Sequence, residues 1–105
     1  MISRFEYHPE AEAEFDAQVR WYAEQAAPDV AARFADSVLS AIKGLFDFPG
    51  SGRNEVVRTG KPTIQSYGAP RFPHRIIYFV DGDTLFVLAV ASTHRRPGYW
   101  KTRIE

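Results

Sequence analysis

The sequence predicts an α+β domain in which an αα-hairpin packs on one face of a twisted antiparallel β-sheet. Apolar residues recur at helical spacing through the first half of the chain, and the second half changes to the two-residue period of strands. Helices that are segregated from strands in this way are typical of a layered α+β fold, in outline β-α-α-β-β-β. We expect residues 1–105 to form one domain, because this length suits a single domain.

The N-terminal strand and both helices are predicted from alternation, helix-start signals and periodicity. Residues 2–7 alternate between apolar and polar, and Pro9 with Glu10 suits the first turn of a helix over residues 9–25. Pro28 begins a second helix that extends to about Asp47. The expected buried stripes are Ala11, Phe15, Val19 and Tyr22 on the first helix and Val30, Phe34, Val38, Ile42, Leu45 and Phe46 on the second. The acids of the first helix, Glu10, Glu12, Glu14 and Asp16, are expected on a solvated face.

Short strands are expected at 55–59 and 63–67, and longer strands at 72–80 and 84–93, the last of them central. The turn around Gly82 leaves two registers open. A two-residue turn at residues 81–82 places Arg75 on the same face as His94 and Arg96, whereas a three-residue loop at 81–83 places it with Arg95. In either case we expect the sheet face away from the helices to be partly open and basic.

The net charge is zero, but its distribution is uneven. Residues 1–50 hold nine acidic and four basic side chains, a net charge of −5, and residues 51–105 hold four acidic and nine basic ones, a net charge of +5. The basic half suits an anionic partner, or it neutralises the acidic half within the fold. The absence of cysteine excludes disulfides and thiolate metal sites. Neither a signal peptide nor a membrane span is visible, so we expect a cytoplasmic protein.

Four segments, in this order along the chain, resemble the RelE/ParE superfamily of type II toxin–antitoxin toxins, closer to its ParE-like members. The resemblance covers essentially the whole chain. The segments are His8-Pro9-Glu10-Ala11-Glu12-Ala13-Glu14, Phe48-Pro49, Phe72-Pro73-His74-Arg75-Ile76-Ile77-Tyr78 and Thr93-His94-Arg95-Arg96-Pro97-Gly98-Tyr99-Trp100. The resemblance implies a growth-inhibiting cytoplasmic toxin that a cognate antitoxin neutralises, with no cofactor and no metal.

The resemblance leaves the target open between two classes. RelE-like members cleave messenger RNA on the ribosome, and ParE-like members inhibit DNA gyrase. If the chain is RelE-like, the implied catalytic residues are Arg75, Arg95, Tyr99 and His94. The candidate target-binding residues are Arg71, Arg75, Arg95, Arg96 and Trp100. RelE also places two lysines on the preceding strand, which residues 63–67 lack, although Lys61 is nearby. This departure favours the gyrase-type function, and an inactive plasmid-stabilisation relic is the third alternative.

The first helix also offers a candidate surface for the antitoxin. Trp21 lies off the predicted stripe, and an exposed Trp is typical of interface hot spots. An amphipathic helix of the antitoxin, bound in a groove on the helical hairpin, would then contact Trp21, Tyr22 and Phe34. The structural alternative is that Trp21 lies at the rim of the core.

Overall fold

The computed structural model describes residues 1–55 and 63–104 and has the predicted α+β architecture. Within these residues the sheet has five strands in the order β1-β5-β4-β3-β2. The strands are β1 (Arg4–Tyr7), β2 (Arg53–Asn54), β3 (Gln65–Gly68), β4 (His74–Asp81) and β5 (Thr84–Ser92). The helices are α1 (Pro9–Gln25) and α2 (Pro28–Asp47), with short 3₁₀ helices at Pro49–Ser51 and Tyr99–Ile104. The expected strand at 55–59 and Lys61 lie mostly or wholly outside the described residues.

The sheet is mixed rather than wholly antiparallel, which corrects the sequence prediction. Strands β2 to β5 pair antiparallel, but β1 lies parallel to β5, with Arg4 opposite Thr84 and Tyr7 opposite Val87. The amides of Ser3 and Arg4 donate to the carbonyl of Asp83, at 2.9 and 3.1 Å. This contact at the β4–β5 turn aligns the starts of β1 and β5, so the two strands run in the same direction.

Both helices begin and end where the sequence predicts and cover one face of the sheet. The His8 side chain caps α1 by accepting from the amide of Glu10 at 3.1 Å. On α2, Phe34, Val38, Ile42 and Leu45 are buried as expected. They pack with Leu85, Val87, Val90, Ile76 and Tyr78 of the sheet in the main core, against which Phe15, Val19, Tyr22 and Phe46 are partly buried.

The register of the β4–β5 hairpin is neither of the two considered from the sequence. Asp81 pairs with Thr84, so the turn residues are Gly82 and Asp83, and Gly82 has the positive φ of 62° that such a turn requires. A bulge then leaves Leu88 as an extra residue, because Tyr78 pairs with Val87 but Ile77 pairs with Ala89. The bulge exchanges the faces of the residues that follow it.

As a result, Arg75 pairs with Ala91 and lies on the face away from the helices. The chain beyond β5 covers part of this face, and the part around Arg75 stays open, as expected. Trp100, in the C-terminal 3₁₀ helix, is only 3% exposed and packs with Ile77, Leu88 and Ala91 in a second core. The indole of Trp100 is therefore mainly a core side chain, and its role in target binding stays a prediction.

The loop after α2 is held by the hydroxyl of Tyr78. This hydroxyl donates to the carbonyl of Pro49 at 2.6 Å and accepts from the amide of Gly52 at 3.1 Å. A β-carbon at position 52 would lie 2.5 Å from the Tyr78 hydroxyl and 2.8 Å from the carbonyl of Ser66. The loop therefore approaches the sheet at a distance that only glycine allows.

We expect Gly52→Ala to destabilise the fold by about 1–3 kcal/mol, because the new methyl group must displace the tyrosine or the β3 backbone. The matched control is Gly50→Ala in the same loop, where a β-carbon meets nothing within 4 Å and the change should be close to neutral. Urea unfolding of both variants measures the difference. Equal stabilities would show that the loop moves without cost.

Candidate functional site

A groove of about 630 Å³ lies between α1 and the ends of β4 and β5. Its walls combine apolar and aromatic surface with a few polar groups, as in many binding sites. Trp21 lines the groove with 54% of its surface exposed. The chain beyond β5 contributes His94, Arg95 and Tyr99 to the lining. The other lining residues are Glu14, Ala17, Gln18, Tyr22, Pro73, His74, Val90 and Ser92.

The three residues predicted for the antitoxin contact lie at different depths. The Trp21 ring meets the Tyr22 ring edge to face at 5.3 Å, so these two form a continuous aromatic wall. Phe34 lies behind Tyr22 at 5.1 Å and is fully buried. Its predicted role as a direct contact is therefore wrong: Phe34 supports the wall from the core and presents no surface.

Glu14 is the polar centre of the site and corrects the expectation of a solvated acid. Its carboxylate accepts from the amide of Val90 at 3.1 Å, from the Tyr99 hydroxyl at 2.5 Å, and from Arg103 at 2.9 and 3.0 Å. Arg103, whose side chain is 7% exposed, also donates to the carbonyl of Leu88 at 2.8 Å. Strand β1 ends before this part of β5. Glu14 and Arg103 thus provide hydrogen bonds to the edge of β5 that a longer β1 would have made.

Two of the predicted catalytic residues, Arg95 and Tyr99, contact Glu14 in this cluster. The Arg95 guanidinium stacks over the Tyr99 ring at 3.9 Å, and its Nη1 lies 3.7 Å from Glu14 Oε2. Burial, followed by the hydrogen bond to Glu14, raises the pKa of the Tyr99 phenol. Tyr99 therefore keeps its proton at neutral pH and is unsuited to act as a general base.

His74 lies on the floor of the groove and has a buried imidazole that is only 4% exposed. Among residues 1–55 and 63–104, neither ring nitrogen has a hydrogen-bond partner. Burial, together with the nearby charge of His94, lowers the pKa of His74 from 6.5 to about 4, so the ring is neutral at pH 7. A buried group of this kind without a partner is uncommon in native proteins and needs an explanation.

Of the four predicted target-binding arginines, three line one pocket and Arg71 lies apart from them. Arg75 and Arg95 line a smaller pocket of about 200 Å³ with Arg53, Glu55 and Arg96. Arg75 is held there by the hydroxyl and the carbonyl of Ser66, both at 3.0 Å. Burial, and then the positive charge of Arg53, lowers the pKa of Arg75. Arg71 instead lines a groove beside α2 with Arg33 and Ser37, so it is separate from the other predicted contacts.

The part of the chain that the structure describes has neither a candidate metal site nor a membrane-spanning helix. No three His, Asp or Glu side chains come close enough together to hold a metal ion. Neither described helix is sufficiently long and apolar to cross a membrane.

The sequence model of a family described as "ParE toxin of type II toxin-antitoxin system, parDE" matches residues 5–97. The chain belongs to this ParE toxin family. The match includes both helices, the β4–β5 hairpin and every groove residue except Tyr99. The predicted resemblance to ParE-like members of the superfamily is thereby confirmed.

Comparison of structures agrees with this family assignment at the level of the fold. One solved structure, titled "Chromosomal ParDE TA system from P. aeruginosa", superposes with a TM-score of 0.72 and 19% sequence identity. The similarity covers 87% of this ParE-family chain and 96% of the other. No curated protein matches the chain by sequence.

Sequence reasoning missed Glu14, Arg103 and the isolation of His74. Glu14 lies three residues after Ala11 and next to Phe15, at the border of the buried stripe of α1, and that position could have identified it. Arg103 carried no such signal, because its partners lie 15 and 89 residues away along the chain. Whether the ring nitrogens of His74 find a hydrogen-bond partner depends on the packing around the ring, which the sequence does not reveal.

We expect Glu14→Gln to destabilise the protein by about 3 kcal/mol, because it leaves the buried guanidinium of Arg103 without its counter-charge. Urea unfolding measures the loss. Trp100 fluorescence in a Trp21→Phe background then reports whether the C-terminal 3₁₀ helix detaches. Glu10→Gln is the control: Glu10 is exposed and lies 3.6 Å from Arg103 Nε, so its change should cost no more than about 1 kcal/mol. Similar losses from both variants would contradict a dominant role for Glu14.

We expect His74 to make the protein less stable as the pH falls from 6.5 to 4. The folded state has the lower pKa, so in this window the unfolded chain binds the proton more readily, and the lost stability is on the order of 2 kcal/mol. Carboxylates also titrate near the lower limit. The diagnostic result is therefore a smaller pH dependence of urea unfolding in His74→Phe than in the wild type. Parallel curves would show that His74 does not resist protonation.

Proposed function

We propose that the chain is a growth-inhibiting toxin that acts in the cytoplasm by binding its target, with DNA gyrase as the analogous target, and that a cognate antitoxin neutralises it. The observation that carries the proposal is the family match over residues 5–97. The structural neighbour belongs to a ParDE toxin–antitoxin system, which supports a partner of the same kind here.

The contacts of the candidate catalytic residues favour binding over cleavage. Metal-independent RNA cleavage needs a base for the 2′-hydroxyl, an acid for the leaving oxygen and cations for the phosphorane charge. Tyr99 is hydrogen-bonded to Glu14 and Arg95 is stacked on Tyr99, so both serve the fold. No lysine is present at residues 63–67. His94 is exposed but has no described partner that would set its tautomer for proton transfer.

One observation favours the second candidate, a ribosome-dependent endoribonuclease. Arg75 and Arg95 line the same small pocket, together with Arg53 and Arg96. Guanidinium groups gathered in this way suit a phosphate. This pocket supplies cations but, in the described part of the chain, holds only Glu55 as a candidate proton acceptor, and Glu55 already accepts from Ser66 at 2.6 Å.

The groove beside α1 is the surface best suited to an antitoxin segment. Trp21 and Tyr22 offer an apolar wall, and the exposed His94 and Arg95 supply donors at one end. An amphipathic helix with acidic residues at one end complements both features.

The two target classes are distinguished by expressing the toxin from a tightly controlled promoter, mapping RNA cleavage and scoring DNA supercoiling. We expect growth arrest with a supercoiling defect and intact messenger RNA, and rescue when the protein of the neighbouring reading frame is co-expressed. Codon-dependent RNA cleavage that disappears in Arg75→Ala would instead establish the nuclease. Lys43→Ala, an exposed cation on α2 that lines none of these pockets, is the matched control and should leave either activity unchanged.

A further inference from the structure

Two described side chains bury a polar atom that has no partner, and they differ in their surroundings. The hydroxyl of Tyr7 and both ring nitrogens of His74 are inaccessible and make no hydrogen bond within residues 1–55 and 63–104. Tyr7 packs against the main core and does not line the groove, whereas His74 lies on the floor of the groove. A buried polar group without a hydrogen-bond partner destabilises the fold, so each of these groups is a cost to the free protein.

The packing around His74 does not require a histidine. Its ring meets the ring of Phe34 at 4.8 Å and that of Tyr22 at 6.3 Å, both edge to face. An apolar aromatic ring would make the same contacts without burying two polar nitrogens. The imidazole therefore has a chemical capacity, one donor and one acceptor, that the free protein does not use.

We propose that His74 is a specificity-determining contact for the partner helix that fills the groove, through a hydrogen bond to an uncharged hydroxyl or carboxamide side chain of that helix. This inference rests on the proposed antitoxin and deepens it. The partner's apolar residues would cover Trp21 and Tyr22, and its acidic residues would meet His94 and Arg95 at the rim. One polar side chain, between these two sets, would reach His74 once the groove side chains that cover its ring nitrogens move on docking, as rotamers commonly do at interfaces.

The partner side chain that reaches His74 is inferred to be uncharged because of the charged groups around the groove. A carboxylate at that depth would lose its hydration beside a neutral imidazole, and the guanidinium groups of Arg95 and Arg103 are already paired with Glu14. A cation would face Arg95 and Arg103, which already surround Glu14. A hydroxyl or a carboxamide can donate to one ring nitrogen or accept from the other without burying another charge.

The test measures the affinity of purified toxin variants for the protein of the neighbouring reading frame, by titration calorimetry, together with the unfolding temperature of the free toxin. We expect His74→Phe to leave the free protein as stable as the wild type or more stable, yet to weaken binding roughly tenfold or more, since it leaves the partner's polar group unsatisfied. If the larger ring overfills the site, His74→Leu provides the same comparison with a smaller side chain. His74→Gln, which keeps a donor and an acceptor, should recover part of the affinity.

Tyr7→Phe is the matched control, because it also removes an unpartnered buried polar atom but lies outside the groove. It should leave the affinity unchanged and the free protein no less stable. Unchanged affinity in His74→Phe and His74→Leu would overturn the inference, as would a loss of stability in both that accounts for the loss of binding.

A second pair of variants separates this inference from the proposed function. Trp21→Ala should weaken binding, whereas Leu39→Ala, an equally exposed apolar residue on α2, should not. If Trp21→Ala weakens binding and the His74 variants do not, the groove binds the partner but His74 does not select it. If the neighbouring protein does not bind the wild type, the proposed antitoxin itself is wrong.

Discussion

The carboxylate of Glu14 is the constraint on which the rest of the structure depends. It joins three parts of the chain through one charged group: α1, the edge of β5 and the C-terminal 3₁₀ helix. Strand β1 ends at Tyr7, so the later part of β5 would have an unpaired edge. Glu14 and Arg103 provide an acceptor for the amide of Val90 and a donor for the carbonyl of Leu88 there.

This solution also determines the shape of the groove. Because Glu14 holds Tyr99, the chain beyond β5 turns back along α1, and Trp21 and Tyr99 come to line the same depression. On the other sheet face, the same turn brings Trp100 into the second core. One buried ion pair thus couples the closure of the sheet to the formation of a binding surface. A partner in the groove would contact residues whose positions depend on that pair.

The sequence predicted the helices and the order of the elements, because these follow from local signals. Periodicity and the two prolines, Pro9 and Pro28, determine where α1 and α2 begin, and the structure agrees to the residue. The register of β4 and β5 was not predictable in this way. It depends on a bulge at Leu88, where the alternation of a nearly all-apolar strand carries no information about which residues face the helices.

The candidate site was predictable only in part, for a related reason. Trp21 was identified because its place off the helical stripe is a local property. Phe34 and Trp100 were assigned to surfaces although both belong to cores, because aromatic residues suit interfaces and interiors equally. Glu14 was assigned to solvent because acids are favoured in a first helical turn, and the partners that make it a buried acceptor lie in the last two elements of the chain.

The charge asymmetry of the sequence now has a structural meaning. The acidic and basic halves partly neutralise each other inside the fold, since Arg103 and Arg95 from the second half meet Glu14 from the first. What remains is a set of guanidinium groups fixed by internal acceptors, with Arg75 held by Ser66 and Arg95 by the Tyr99 ring. Side chains positioned in this way offer rigid donors to an anionic partner.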